Sequence, residues 1–457
     1  MTNNKHLLLG AVFGLIAYLL SAFLWQQPNA IAITIAVTCL TAYYWISEAI
    51  PIPVTSLLPI ALLPLLEVIS HKQAAASLGS HVIVLLMGAF MLAVAIEKSG
   101  VHQRIAFGIL QIIGGASAIR IIFAIMATSS ILSMWISNTA TVVALLPVVL
   151  AISASTDNQR FKVALLLGLA YSASIGGIGT LIGTPPNVIF ASVYEEFSGH
   201  EYGFLKWMKV AVPIVIISIP LMALWLARGI HLTSEIKLPP SQSWQKAEMR
   251  VLTIFAIVAL LWVFRKEPFG GWSGALGIST VGDSSIALLG VIAMAMVSNG
   301  KGGRLLEWED ANKIPWGMLL LFAGGICLAK AFVASGLSAL LGEFFVALGA
   351  LPVLLSLMAL TIGVSFLTEI TSNTATATLM MPIIASAAIA LDLPIALLMV
   401  PVVISCSCAF CLPVATAPNS IVFASGEVSI REMVKQGMAL NILVALIVSI
   451  YCYFFLL

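Results

Sequence analysis

The pentapeptide Ser137-Asn138-Thr139-Ala140-Thr141 recurs as Ser372-Asn373-Thr374-Ala375-Thr376, each copy deep in apolar sequence and each followed by a proline, Pro147 and Pro382. Polar side chains are costly in hydrocarbon unless they line a cavity or pair with one another. A duplicated polar cluster between apolar stretches therefore predicts a paired binding site inside a membrane, built from two related halves.

The membrane itself follows from composition. Of 457 residues, 61% are hydrophobic and 9% charged, against roughly 25% charged in an ordinary soluble domain. Apolar runs long enough to cross a bilayer core recur from His6 to Leu457. The first, Leu7 to Leu24, lacks a small-residue cleavage site and leads straight into further spans, so it reads as a transmembrane helix rather than a signal peptide. A net charge of +2, with no basic run, gives no footing for nucleic acid. The six cysteines sit in apolar stretches. Cys408-x-x-Cys411 has no second pair and no nearby His, so these thiols read as buried small hydrophobes rather than zinc ligands.

Subtracting positions yields the organisation. Ser137 to Ser372 and Pro147 to Pro382 are shifts of 235, Ser99-Gly100 to Ser335-Gly336 is 236, and Pro186-Asn187 to Pro418-Asn419 is 232. An extra N-terminal helix (1–30) precedes a first repeat (31–228), a polar cytoplasmic linker (229–249) and a second repeat (250–457). The stretch 98–162 carries Lys98, Arg104, Arg120, Arg160 and Lys162, whereas its counterpart 333–397 carries no Lys or Arg. Basic residues near spans stay cytoplasmic, so the repeats are expected to be inserted upside down relative to each other.

On this frame the expected class is an all-α polytopic membrane protein of about eleven transmembrane helices plus two re-entrant hairpins in two inverted repeats. The spans lie near 7–24, 30–47, 51–69, 80–97, 161–182, 206–228, 250–264, 284–298, 315–333, 394–413 and 433–456. This puts the N-terminus in the cytoplasm and the C-terminus outside the inner (plasma) membrane. The segments 120–154 and 354–391 hold their Ser-Asn-Thr near the middle and read as the hairpins, with tips at the midplane. Val101 to Ile113 and Leu337 to Leu348 read as interfacial arms.

A second polar break follows each tip: Gly183-Thr184-Pro185-Pro186-Asn187 and Ala415-Thr416-Ala417-Pro418-Asn419. Proline predicts unwound backbone with free carbonyls there. Carbonyls, hydroxyls and amide oxygens suit a dehydrated alkali cation, while restarting helix N-termini suit an anion. A single Ser-x-x-x-Ser such as Ser133/Ser137 is ordinary at helix contacts. Packing alone gives no reason for a buried Asn in both tips, or for a broken helix at the same distance behind each.

These paired motifs and the inverted frame resemble the divalent anion/sodium symporters over essentially the whole chain. The resemblance implies one sodium ion held by Ser133, Ser137, Asn138 and the Gly183 carbonyl, and a second held by Thr368, Thr371, Asn373 and the Ala415 carbonyl. It implies substrate carboxylates at Asn138, Thr139, Asn373 and Thr374, helped by Thr184 and Thr416 with the flanking Pro185 and Ala417. Ala417 departs from the pattern, standing where the first break has Pro185. The family further implies a homodimer in which a rigid scaffold supports a moving transport domain.

The residues add a point of their own: neither tip nor break contains Lys or Arg. A dianion there must be balanced by co-bound cations and helix N-termini, so coupling to Na⁺ follows from electrostatics. Glu369, whose counterpart is Met134, is either a proton carrier or a cap on backbone amides of the hairpin. None of the six histidines falls in the polar stretches, which argues against a His relay. The expected function is sodium-coupled, elevator-type import of C4-dicarboxylates such as succinate, malate and fumarate. Sodium-independent exchange, or sulfate or citrate as substrate, stand as alternatives. An enzyme is not expected, because no HExxH, clustered His/Asp or nucleophile–base pair is present.

Overall fold

The computed structural model describes residues 2–113, 117–230, 244–278, 280–348 and 351–457. Most of the expected linker, with His231, lies outside the described residues. Among the described residues the chain is helical with no strand, apart from one isolated bridge between Ser298 and Arg304. Seven helical stretches among the described residues are long and apolar enough to cross a membrane, and shorter apolar helices accompany them. Side chains such as Leu8, Phe23 and Phe454 lie exposed on the outer faces. Such a belt is tolerable only against lipid, and the protein is a multi-pass membrane protein.

The first two helices, Thr2–Leu19 with its π-helical extension Leu20–Leu24 and Asn29–Ser47, pack on each other. The expected span 51–69 is instead two short helices, Ile52–Thr55 and Leu57–Leu65, meeting at Ser56. Ser56 turns its hydroxyl back to the Ile52 carbonyl (2.7 Å) and receives the Trp45 indole N–H (3.0 Å). A second group, His81–Ser99, Lys246–Val263 and Asp283–Met296, packs closely through glycines: Gly88 faces Ala287, and Gly290 faces Val258.

Each Ser-Asn-Thr sits at a sharp break between two helical arms, Ala118–Ser133 with Asn138–Ala154 and Val353–Leu367 with Asn373–Ala390. Both arms of the first pair pack on Gln159–Gly177, and both arms of the second pack on Ile395–Cys406. The helices that restart after the breaks then cross over. Pro185–Ser198 packs on Asn373–Ala390 and Ile395–Cys406, while Ala417–Ala424 packs on Asn138–Ala154 and Gln159–Gly177. Each half thus buries its restarting helix in the other half, and one apolar core runs through both.

Two expected spans end early. The helix expected over 161–182 stops at Gly177, and the one expected over 394–413 stops at Cys406. In both cases the backbone leaves the helix before the proline is reached, where side chains claim its carbonyls in the first half and both its carbonyls and its N–H groups in the second, as described below.

Ion pairs mark the two ends of the molecule. At one end His81 meets Glu195 (3.3 Å), Arg265 meets Asp283 (2.7 Å) and Glu201, and Lys266 meets Glu201 (2.6 Å). Burial alone would raise the Glu201 pKa, yet hydrogen bonding to Lys266 and the charge of Arg265 bring it below the ordinary carboxylate range. At the other end Arg104 meets Glu248 (2.9 Å), and Lys98 meets Glu307 (3.2 Å) and Asp310. Hydrogen bonds from Lys98 hold both of those carboxyls below their usual range.

Candidate functional site

The two tips have the same internal wiring. At the first, Ser133 is fully buried and donates its hydroxyl to Asn138 Oδ1 (2.6 Å). At the second, Thr368 is fully buried and donates to Asn373 Oδ1 (2.7 Å). The hydroxyl fixes the amide so that its oxygen faces inward. Ser137 caps the helix it precedes, accepting from the Ala140 N–H (3.1 Å). Ser372 occupies the same N-cap position without using its side chain. Thr371 pairs with Thr376 (2.7 Å). The counterpart of Thr371 is Ile136, and Thr141, the counterpart of Thr376, is left with a buried hydroxyl that has no partner.

Both breaks are clamped by the asparagine that ends their motif. Asn187 Nδ2 donates to the carbonyls of Gly177 (3.1 Å) and Thr180 (2.7 Å), and Asn419 Nδ2 donates to those of Ala409 (3.0 Å) and Leu412 (3.0 Å). One buried amide thereby satisfies carbonyls that unwinding has freed. In the first half Trp207 also donates to the Ile178 carbonyl (2.8 Å), and the Thr180 hydroxyl bonds the Met134 carbonyl, tying break to tip.

Oxygens crowd together where tip and break meet. A Cβ added to Gly183 would stand 2.4 Å from the Gly177 carbonyl oxygen and 2.9 Å from that of Ser133. A Cβ added to Gly177 would stand 2.5 Å from Asn138 Oδ1 and 3.2 Å from the Gly183 oxygen. This is a cradle of carbonyl and amide oxygens that tolerates no side chain, and its donor set fits a hard alkali cation. Among the described residues no three His, Cys, Asp or Glu converge as a transition-metal site would need.

Tips and breaks open onto one cavity of about 680 Å³. Asn138, Thr139, Thr184, Pro185, Asn373, Thr374, Thr416 and Ala417 all line it, as do Ser137, Gly183, Thr371 and Ala415. Ser133 and Thr368 do not line it; they lie behind the asparagines they orient. Four helices begin on its wall, at Asn138, Pro185, Asn373 and Ala417. Converging N-termini present unsatisfied N–H groups and positive dipole ends, a site made for anions. The four starts differ in detail. Pro185 and Pro186 have no N–H to offer, whereas Ala417 retains one.

Glu369 is 4% exposed and caps backbone amides, but not those of the hairpin. It accepts the N–H groups of Phe410 (2.7 Å), Cys411 (2.8 Å) and Leu412 (3.0 Å), and the Asn441 amide (2.7 Å). The hairpin cannot receive it, because the tip amides point along their own helix while those of 410–412 have left theirs. Cys408 and Cys411 are buried free thiols.

Several residues of the site escape sequence reasoning. Asn187 and Asn419 stand out by their repeated spacing, but nothing local reveals that they clamp carbonyls. Gly177, Trp207 and Asn441 carry no signal in the sequence. The cavity wall also includes Glu48, Glu97 and Lys313, from helix ends outside the tips and breaks. Lys313 is exposed and paired with Asp310 (2.9 Å) at the Lys98 end of the molecule.

Comparison with known proteins places this geometry. The family model described as citrate transporter matches residues 42–398, most of the chain. The sodium-dependent dicarboxylate transporters SdcS of Staphylococcus aureus strains NCTC 8325 / PS 47 and COL are each 37% identical over 476 aligned positions, covering 98% of this chain and 91% of the relative. In the crystal structure of the Alcanivorax borkumensis YdaH transporter, the similarity covers 83% of this chain and 87% of that one, with a TM-score of 0.62 at 14% identity, a likeness of fold alone. The relatives are transporters, not enzymes, and on the extent of these matches the chain belongs to the divalent anion/sodium symporter family.

Proposed function

We propose that the protein is a secondary active transporter that imports C4-dicarboxylates such as succinate, malate and fumarate together with Na⁺. The observation that carries this reading is the convergence of four helix N-termini and two oriented asparagines on one cavity, with no Lys or Arg in either tip or break. One carboxylate of the substrate meets Asn138, Thr139 and Thr184, and the other meets Asn373, Thr374 and Thr416. Sodium ions sit behind them, one among Ser133, Ser137, Asn138 and the Gly183 carbonyl, the other among Thr368, Thr371, Asn373 and the Ala415 carbonyl. Each asparagine then touches ion and substrate together, so each ligand makes the site favourable for the other. That the relatives are sodium-dependent dicarboxylate transporters supports this assignment.

In this reading the repeats 31–228 and 250–457 are inverted, and the Lys98 end faces the cytoplasm in a plasma membrane, with the N-terminus inside and the C-terminus outside. The cavity includes Glu97 and Lys313 at that end, which supports reading this conformation as inward-open. The hairpins and restarting helices, interlocked as one body, move against a scaffold containing His81–Ser99, Lys246–Val263 and Asp283–Met296, in a homodimer. Reciprocal coupling requires substrate to tighten sodium binding by the factor that sodium tightens substrate, typically about 5- to 150-fold. The test is calorimetric succinate affinity as sodium replaces choline at constant ionic strength. A steep rise is expected, and Ser137→Ala and Thr368→Ala should flatten it. Affinity indifferent to sodium, with fast exchange of internal for external dicarboxylate, would replace the symporter by an exchanger.

A further inference from the structure

The two halves differ in how their broken helices are held, and the difference centres on a carboxylate the transport reading does not use. The 232-residue shift that maps Asn187 onto Asn419 also maps Gly177 onto Ala409. The helix Gln159–Gly177 ends at that point, but Ile395–Cys406 ends three residues before it. Three fewer helical residues leave three more N–H groups without a helical acceptor. In the first half the N–H groups of Ile178 and Gly179 return to the carbonyls of Ile175 and Gly176. In the second half those of Phe410, Cys411 and Leu412 all go to Glu369. Met134, at the corresponding place in the first tip, has no carboxylate to offer.

The clip has a back plate. Gly437 presses on the same stretch from Ile430–Leu456: a Cβ there would stand 2.2 Å from the Phe410 carbonyl oxygen and 2.7 Å from the Cys411 nitrogen. One turn on, Asn441 accepts from the Phe410 N–H (3.2 Å) and donates to Glu369 (2.7 Å). Glu369 itself follows Thr368, whose hydroxyl bonds both Asn373 Oδ1 (2.7 Å) and the Cys406 carbonyl (3.0 Å). Adjacent side chains of one tip therefore hold the two edges of the unwound stretch, and that stretch leads directly to Ala415 and Thr416 on the cavity wall.

We propose that Glu369, with Asn441, is a positioning residue: it fixes residues 410–412 so that the Ala415 carbonyl and the start of Ala417–Ala424 face Asn373. The proposal rests on the assignment of a coupling ion to that corner. Its chemistry is specific. All four donors are N–H groups, three on one carboxylate oxygen and Leu412 on the other, so a glutamine keeps one acceptor but turns its NH₂ toward at least one donor and opens the clip there, while an aspartate keeps both acceptor oxygens with a shorter reach.

The experiment is succinate uptake in proteoliposomes by wild type, Glu369→Gln, Glu369→Asp and Asn441→Ala, read as sodium half-saturation, succinate half-saturation and pH profile. The sodium-induced rise in thermal midpoint of the purified proteins is measured alongside. Glu369→Gln should raise the sodium half-saturation about tenfold or more and suppress the sodium-induced thermal shift, with Glu369→Asp intermediate and the pH profile unchanged in shape. If Glu369→Gln does not fold, Asn441→Ala, which keeps the carboxylate and loses one donor, should show the same shift in smaller measure. Wild-type sodium and succinate half-saturation in either folded variant overturns the proposal. So does a pH dependence present in wild type and abolished in Glu369→Gln with sodium affinity unchanged, which is the signature of a proton carrier. A wild type that needs no sodium counts against the symporter reading instead; the clip is then judged on succinate half-saturation alone.

Discussion

Gly177→Ala probes the first ion cradle without removing any proposed ligand. The added Cβ would lie 2.5 Å from Asn138 Oδ1, 3.2 Å from its Nδ2 and 3.2 Å from the Gly183 oxygen. Carbon and oxygen at rest stay about 1 Å farther apart than the closest of these contacts, so the carboxamide must move by roughly that amount. It cannot do so freely, because Ser133 holds its oxygen at 2.6 Å. Overpacking of this kind costs about 1–3 kcal/mol, and each 1.4 kcal/mol is about tenfold in affinity. If the strain is felt mainly when the ion is bound, sodium half-saturation rises about 5- to 150-fold. The control lies in the other half: the equivalent position is already Ala409, so Ala409→Gly should leave sodium dependence near wild type. The assay is sodium-dependent succinate uptake in proteoliposomes at matched protein. Wild-type sodium half-saturation in Gly177→Ala would refute the placement of an ion between Asn138 and Gly183.

Asn138→Ala and Asn373→Ala should each abolish transport in protein that still folds and reaches the membrane, since losing a ligand to a buried ion costs on the order of 2–5 kcal/mol; uptake by either at normal expression would remove the asparagines from the site. Ala417→Pro should fold normally, because proline suits the first position of a helix, and should weaken succinate binding about tenfold by deleting one N–H on the cavity wall, worth about 1.5 kcal/mol against a charged group. Unchanged affinity would show that this N–H does not meet the substrate. Cysteines placed at Ser198 and Lys301 should label from opposite sides of the membrane; labelling from the same side would break the inverted frame and the inward-open assignment with it.

The sequence alone determined the membrane class, the two tips, the two breaks and their pairing, because those depend on local facts: hydropathy, the cost of polar groups in hydrocarbon, and a motif that repeats at a constant shift. It also singled out every residue that begins a helix on the cavity wall, since prolines and N-cap residues announce such starts within a few positions. What only the tertiary structure decided depends on residues far apart in the chain. The crossing of each restarting helix into the opposite half, the approach of Gly177 to Asn138, the clamps made by Asn187 and Asn419, and Lys313 on the rim are all contacts between elements whose relative placement no local pattern encodes. The ends of the spans at Gly177 and Cys406 belong here too, because a helix stops where other groups accept or donate its hydrogen bonds more favourably. For Ile395–Cys406 that acceptor is Glu369, 41 to 43 residues earlier in the chain, reaching N–H groups that only the folded protein brings within hydrogen-bonding distance.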